Sequence, residues 1–147
     1  MPTAGEAGSA SLEFLVVAVI LLVPIVYLIV ALGTIQQQAL GVETGARQLA
    51  RTVATASDAA VARDRSSRVI DEIVAEYGID PTALAVSATC DPGAPSCPEP
   101  GALVRVTLRT SVALPLVPPV LGLDRATRVS VEASAVHRVS RFWTGTP

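Results

Sequence analysis

A run of twenty uncharged residues, FLVVAVILLVPIVYLIVALG at positions 14–33, limits what this chain can become. As a helix rising about 1.5 Å per residue, it covers the roughly 30 Å hydrocarbon layer of a bilayer. A surface helix of a soluble domain keeps a polar face, and this run has none. It therefore reads as a single membrane span. Pro24 falls inside it, where a soluble helix would break. In lipid, neighbouring groups re-satisfy the freed carbonyl and the proline is tolerated as a kink. Tyr27 has a polar tip that suits a partner helix or an interface. A cleaved secretory signal fits poorly: no Lys or Arg precedes the run, the run is too long, and no A-x-A site closes it.

The chain as a whole does not have the composition of an average soluble domain. Charged residues make up 16% of the chain, against about 25% in a typical one. Aromatics make up only 3%, and all eleven basic residues are Arg. A net charge of -2, with no basic run and no interleaving of basic and aromatic residues, excludes nucleic acid as an expected partner. Charge alone says little about orientation in the membrane. Only Glu6 precedes the span, and the first basic residues after it are Arg47 and Arg51. Taken by itself, the positive-inside rule weakly favours a cytoplasmic domain.

After the span the apolar pattern becomes amphipathic. Ile35, Ala39, Val42, Ala46, Leu49, Val53, Ala56 and Ala60 recur at steps of four and three, extending the membrane helix into water with a seam for another helix. Gly41 and Gly45 form a G-x-x-x-G step, and each glycine costs about 1 kcal/mol of helix propensity relative to Ala. Their presence predicts close packing or a bend. The seam suits the chain's own domain or a neighbouring subunit, and the pattern leaves both open. Ser57 or Asp58 is a candidate cap for a second helix ending near Tyr77, with Val69, Ile70, Ile73, Val74 and Tyr77 as its apolar face. Gly78 is a natural stop and Pro81 prevents a restart.

Beyond this point the period becomes two. Leu84, Val86 and Ala88 alternate with polar or small residues, as do Val104, Val106, Leu108, Thr110 and Val112, and then Val129, Val131, Ala133, Ala135 and Val139. These are three strands of a sheet with one wet face and one covered face. The cover is the second helix or the extension of the first. The expected fold is α+β: a long N-terminal transmembrane helix extended into an amphipathic one, a second helix, and a small antiparallel sheet. The expected organisation is a leader at 1–8, the membrane helix at 9–33, an amphipathic helical region at 34–80 and a β-rich region at 81–147.

Cys90 and Cys97 flank DPGAPS, a stretch of turn formers. Their spacing, with one His elsewhere, cannot build a structural zinc site, and the Cys-x-x-Cys redox spacing is absent. A disulfide is expected, contributing about 2–3 kcal/mol through loop entropy. It implies an oxidising compartment and outweighs the few charges in setting orientation, placing the C-terminal part outside the cytoplasm. A second loop, LPLVPPVLGL at 114–123, is apolar and proline-rich. It suits a cover for the sheet edge, or else an exposed contact for a partner or the membrane surface.

No catalytic or metal-binding pattern emerges, so no enzyme activity, metal or cofactor is expected. His137 stands on the apolar side of the last strand, where a core or edge histidine is the default. G-x-S-x-G, H-E-x-x-H and P-loop motifs are missing. Asp71, Glu72 and Glu76 share a helix with Arg68, as surface charges do.

The first fourteen residues are more specific. A short polar leader ends at Gly8, Glu13 stands at the fifth position after it, Phe14 follows, and the apolar run begins. An ordinary anchor has no reason to keep a carboxylate at the threshold of its span, because a charge carried to the bilayer centre costs on the order of 2.5–3.5 kcal/mol. The arrangement resembles the class III signal of type IV prepilins, and most closely the TadE-like pseudopilins of Tad (tight adherence) pili. That resemblance implies cleavage between Gly8 and Ser9 by a prepilin peptidase on the cytoplasmic side. It also implies membrane extraction into a pilus with other pilin subunits and the assembly machinery. Glu13 would then pair with the N-terminal amine of an adjacent subunit. The match covers about the first thirty residues. Pro24 stands later than in many TadE-like chains, and TIQQQ replaces their charged stretch after the span. The competing expectation is an unprocessed signal anchor carrying an envelope-binding or scaffold domain.

Overall fold

The structure, a computed structural model, describes residues 7–90, 97–115 and 127–144. Helix α1 spans Ala7–Thr55 without interruption and includes Pro24. It is followed by helix α2, Ala59–Tyr77, and by strands β1 (Ala85–Cys90), β2 (Leu103–Val112) and β3 (Val129–Arg138). The α+β architecture expected from the residue pattern is the one found.

Along α1 the environment changes abruptly. Residues 11–30 are all exposed except the half-buried Tyr27. From Gly41 onward, buried pairs recur every turn: Gly41 and Val42, Gly45 and Ala46, Leu49 and Ala50. Glu43, Thr44, Arg47, Gln48 and Arg51 occupy the wet face, where Arg47 pairs with Glu43 one turn away. The apolar stripe thus packs on the chain's own domain. It ends with the helix: Ala56 is buried in the turn beyond, and Ala60 is exposed in the first turn of α2. The heptad spacing continues across the break at residues 56–58 and hides it.

Asp58 starts α2. Its backbone is extended, and its carboxylate accepts from the Ala60 and Val61 amides, both at 2.9 Å. These are two of the donors a helix start leaves unpaired. The Val61 amide first, and then the Ser57 hydroxyl, hold the Asp58 carboxyl below its ordinary pKa. At the other end Gly78 takes the left-handed conformation, φ 62°, and its amide donates to the Val74 carbonyl. The helix folds back along α1, so that Tyr77 lies over Gly41 and Ile73 over Gly45. A Cβ at Gly41 would come 2.5 Å from Tyr77 Cγ, and one at Gly45 2.8 Å from Ile73 Cδ1 and 2.9 Å from Leu108 Cδ2. Close packing within the chain is therefore the reason for both glycines.

The sheet has the order β1-β2-β3 and is antiparallel throughout. Central β2 shows the expected alternation in full: Val104, Val106, Leu108, Thr110 and Val112 are buried, while Arg105 and Arg109 are exposed. The cover is α1, which packs on β2 and β3. On β3 the alternation is weaker, with Val131, Ala133 and Ala135 half-buried and Val129 exposed. On β1 it fails. Val86 and Ala88 share the covered face with Leu108 and Val106 by register, yet both are exposed. The helix crosses the other two strands and leaves this edge strand uncovered. Of the two places expected for His137, core or edge, the structure has the edge. It lies near the end of edge strand β3 and is exposed, with Nδ1 3.2 Å from the Arg138 carbonyl.

The chain beyond β3 closes the domain. Ser140 donates to the Ala54 carbonyl at 2.7 Å, the Thr144 amide donates to the Ser57 carbonyl at 2.8 Å, and Trp143 is buried. Most of the 114–123 loop and all of the DPGAPS residues lie outside the described residues.

Candidate functional site

The residues that carry the sequence motif lie on the first turns of α1. Gly8 and Ser9 fall within the helix, which begins at Ala7. The bond expected to be cut therefore lies in helical backbone. Glu13 and Phe14 follow on exposed surface, Phe14 at 75% exposure. Among the described residues Glu13 has no ion-pair partner. It stands at the head of an unbroken apolar surface that includes Leu15, Ile20, Leu22 and Ile29. The helix is long and apolar enough to cross a membrane, and only 6% of its most apolar window is buried.

That low burial decides between two readings of the apolar run. A core helix of a soluble protein would bury it against its own domain, and this one leaves it bare. Beside Pro24 the surface is notched by an open groove of about 480 Å³ lined by Leu22, Val23, Val26, Tyr27 and Val30. Its walls offer shape and apolar contact and no reactive group.

At the far end of the molecule Cys90 and Cys97 form the expected disulfide, with Cα atoms 5.6 Å apart. It ties the end of β1 to the segment leading into β2. Beside this link a cavity of about 200 Å³ is lined by Val53, Ala59, Ala62, Arg63, Ser66, Pro98 and Trp143. The role of Trp143 in closing this end was not apparent from residue periodicity, because it follows the last strand without a pattern of its own.

Among the described residues no group of three or more His, Cys, Asp or Glu is placed to hold a metal ion. Asp80 caps its own turn, accepting from the Thr82 hydroxyl at 2.7 Å and the Thr82 amide at 2.9 Å, and both bonds hold its carboxyl below the ordinary pKa. The residues expected at the cut, the disulfide and His137 are not brought together into one pocket. The candidate site is linear: the first turns of α1, with exposed Glu13 and Phe14, and the apolar surface behind them.

No protein-family model, curated protein or solved structure matches this chain.

Proposed function

We propose that the chain is a minor pilin or pseudopilin of a Tad-type, type IV-like pilus. In this reading α1 stores the subunit in the membrane until prepilin peptidase cuts between Gly8 and Ser9. The freed subunit then acts in pilus assembly or adhesion through contacts with other pilin subunits. The observation that carries the proposal is the make-up of α1. One uninterrupted helix bears Glu13 at its head, a bare apolar surface behind it and a folded domain on its last turns. A subunit that leaves lipid for a filament needs that surface free for neighbours. It also gains from a carboxylate that a neighbour's amine neutralises, since unpaired charge in low dielectric is penalised. The disulfide favours an extracytoplasmic domain.

A second reading, an unprocessed signal-anchored scaffold or binding protein, draws on the helical conformation of the Gly8–Ser9 bond, which a peptidase must first unwind. The two separate by terminal analysis of chain extracted from membranes that contain the peptidase. Processing gives Ser9 as the first residue, and Gly8→Ala abolishes the cut. Recovery of the intact N-terminus from the unmutated chain overturns the pilin reading.

A further inference from the structure

The most exposed large apolar side chain among the described residues belongs to the folded domain and not to the bare helix. It is Phe142, at 88%; from Gly41 onward no other large apolar side chain exceeds 44%. Its backbone is pinned on both sides. The Trp143 amide donates to the Ser140 carbonyl at 3.2 Å, closing a turn with Arg141 and Phe142 at its tip. The Phe142 amide donates to Ser140 Oγ at 3.2 Å. Ser140 is tied to Ala54 before the tip and Thr144 to Ser57 after it, with Trp143 buried between them. A ring carried on so fixed a turn costs little loop ordering when a partner covers it.

The cavity beside the disulfide opens in the same patch, since Trp143, the next residue, is one of its walls, with Val53, Ala62 and Pro98. Ser66 adds little polar surface to it, because its Oγ is buried in the wall. An apolar cavity of about 150 Å³ holds a benzene molecule, and this one, at about 200 Å³, is on the scale of a phenyl ring. Phe142 stands outside the cavity of its own chain. Arg141 and Glu99, next in the chain to Phe142 and Pro98, are opposite in charge, and neither side chain has an ion pair among the described residues. We infer that the patch is self-complementary: Phe142 of one copy enters the cavity of a second copy of this chain, whose own Phe142 enters the cavity of the first. A two-fold axis permits the exchange because ring and cavity adjoin. Arg141 of each copy then comes beside Glu99 of the other, and Arg63, exposed on the cavity wall, can lie over the inserted ring. Val53 is about 30 Å along α1 from Gly33, so copies spanning one membrane side by side can meet there. The contact requires neither a cut after Gly8 nor a filament.

The test is sedimentation equilibrium of the full chain in density-matched detergent micelles, with a crosslink to locate the contact. The unmutated chain should dimerise. Phe142→Ala should weaken the dimer at least about tenfold, the equivalent of one lost buried aromatic. The melting of the domain should not change, because the ring touches little of its own chain. Ala59→Trp, at an exposed position on the cavity wall, should weaken the dimer by a similar factor by occupying the space. For the crosslink, unlabelled and isotope-labelled chains carrying p-azidophenylalanine in place of Phe142 are mixed and irradiated. Products of mixed label should join position 142 to residues 53–66 or to Pro98. Where either variant melts early, the crosslink decides. A monomer at every concentration overturns the inference, and so do crosslinks confined to one chain or mixed-label products that map elsewhere. A dimer that both variants leave intact also overturns it and assigns the association to the apolar run.

Discussion

The two halves of α1 share one backbone and are opposites in every other respect. Between Leu12 and Leu32 almost every side chain is apolar and almost every one is exposed; between Gly41 and Ala54 fewer than half are apolar, and those are buried except half-buried Val53. Hydrophobicity alone would rank the first half as the better core. The difference lies in pattern. A helix apolar all round presents no preferred side to a single small domain, whereas small residues at turn spacing let α2 and β2 approach to contact on one side. The first half is complementary to a solvent, the second to a particular surface.

Substitutions in the two halves should therefore fail in different ways. Leu108→Ala removes a fully buried side chain set against Gly45 and should lower domain stability by about 2–5 kcal/mol, read by thermal unfolding, while the chain stays in the membrane fraction. Val26→Arg should do the converse. A central charge costs about 2.5–3.5 kcal/mol of insertion, so the chain shifts toward the soluble fraction with its domain melting unchanged. A loss of domain stability in Val26→Arg would break the comparison, because it would mean the first half is also a core. Gly41→Ala gains helix propensity but drives a methyl into the root of the Tyr77 side chain, and the net effect should be a loss of about 1–2 kcal/mol. A gain would show that the glycine serves something other than the α1–α2 contact.

The smallest effect concerns the α2 cap. The Asp58 carboxyl titrates lower in the fold than in the open chain, so its contribution is present above the ordinary aspartate pKa. That contribution fades as pH falls through the lowered value. Asp58→Ala should lower the melting temperature modestly at neutral pH, and the difference from the parent chain should shrink in acid. An unchanged difference across that range would assign the effect to helix propensity rather than to the ionised cap.

How much of this was legible depended on the number of neighbours a residue meets. Every inward position of β2 could be read, because a central strand under a helix has its alternation enforced on both sides. Val86 was misplaced by the same rule, since an edge strand obeys it only where something covers it. The caps at Asp58 and Gly78 were visible as residue types with one local job. The burial of Trp143 was not, because it arises from contacts far along the chain. At the proposed processing site the sequence carries the motif, and the fold adds the helical state of the Gly8–Ser9 bond and the exposure of Glu13.

The hydrogen bonds between Thr144 and Ser57 join residues 87 positions apart. Ribosomes deliver the helices first and the closing segment last. α1 and α2 can pair early, as a local hairpin, but Leu49 and its neighbours have no sheet to rest on until β2 and β3 have been made. The clamp at Ser57 waits until Thr144 has been made. Until then the growing chain carries an unfinished apolar face beside its bare helix, and a chain cut between β3 and Ser140 would leave that face open for good.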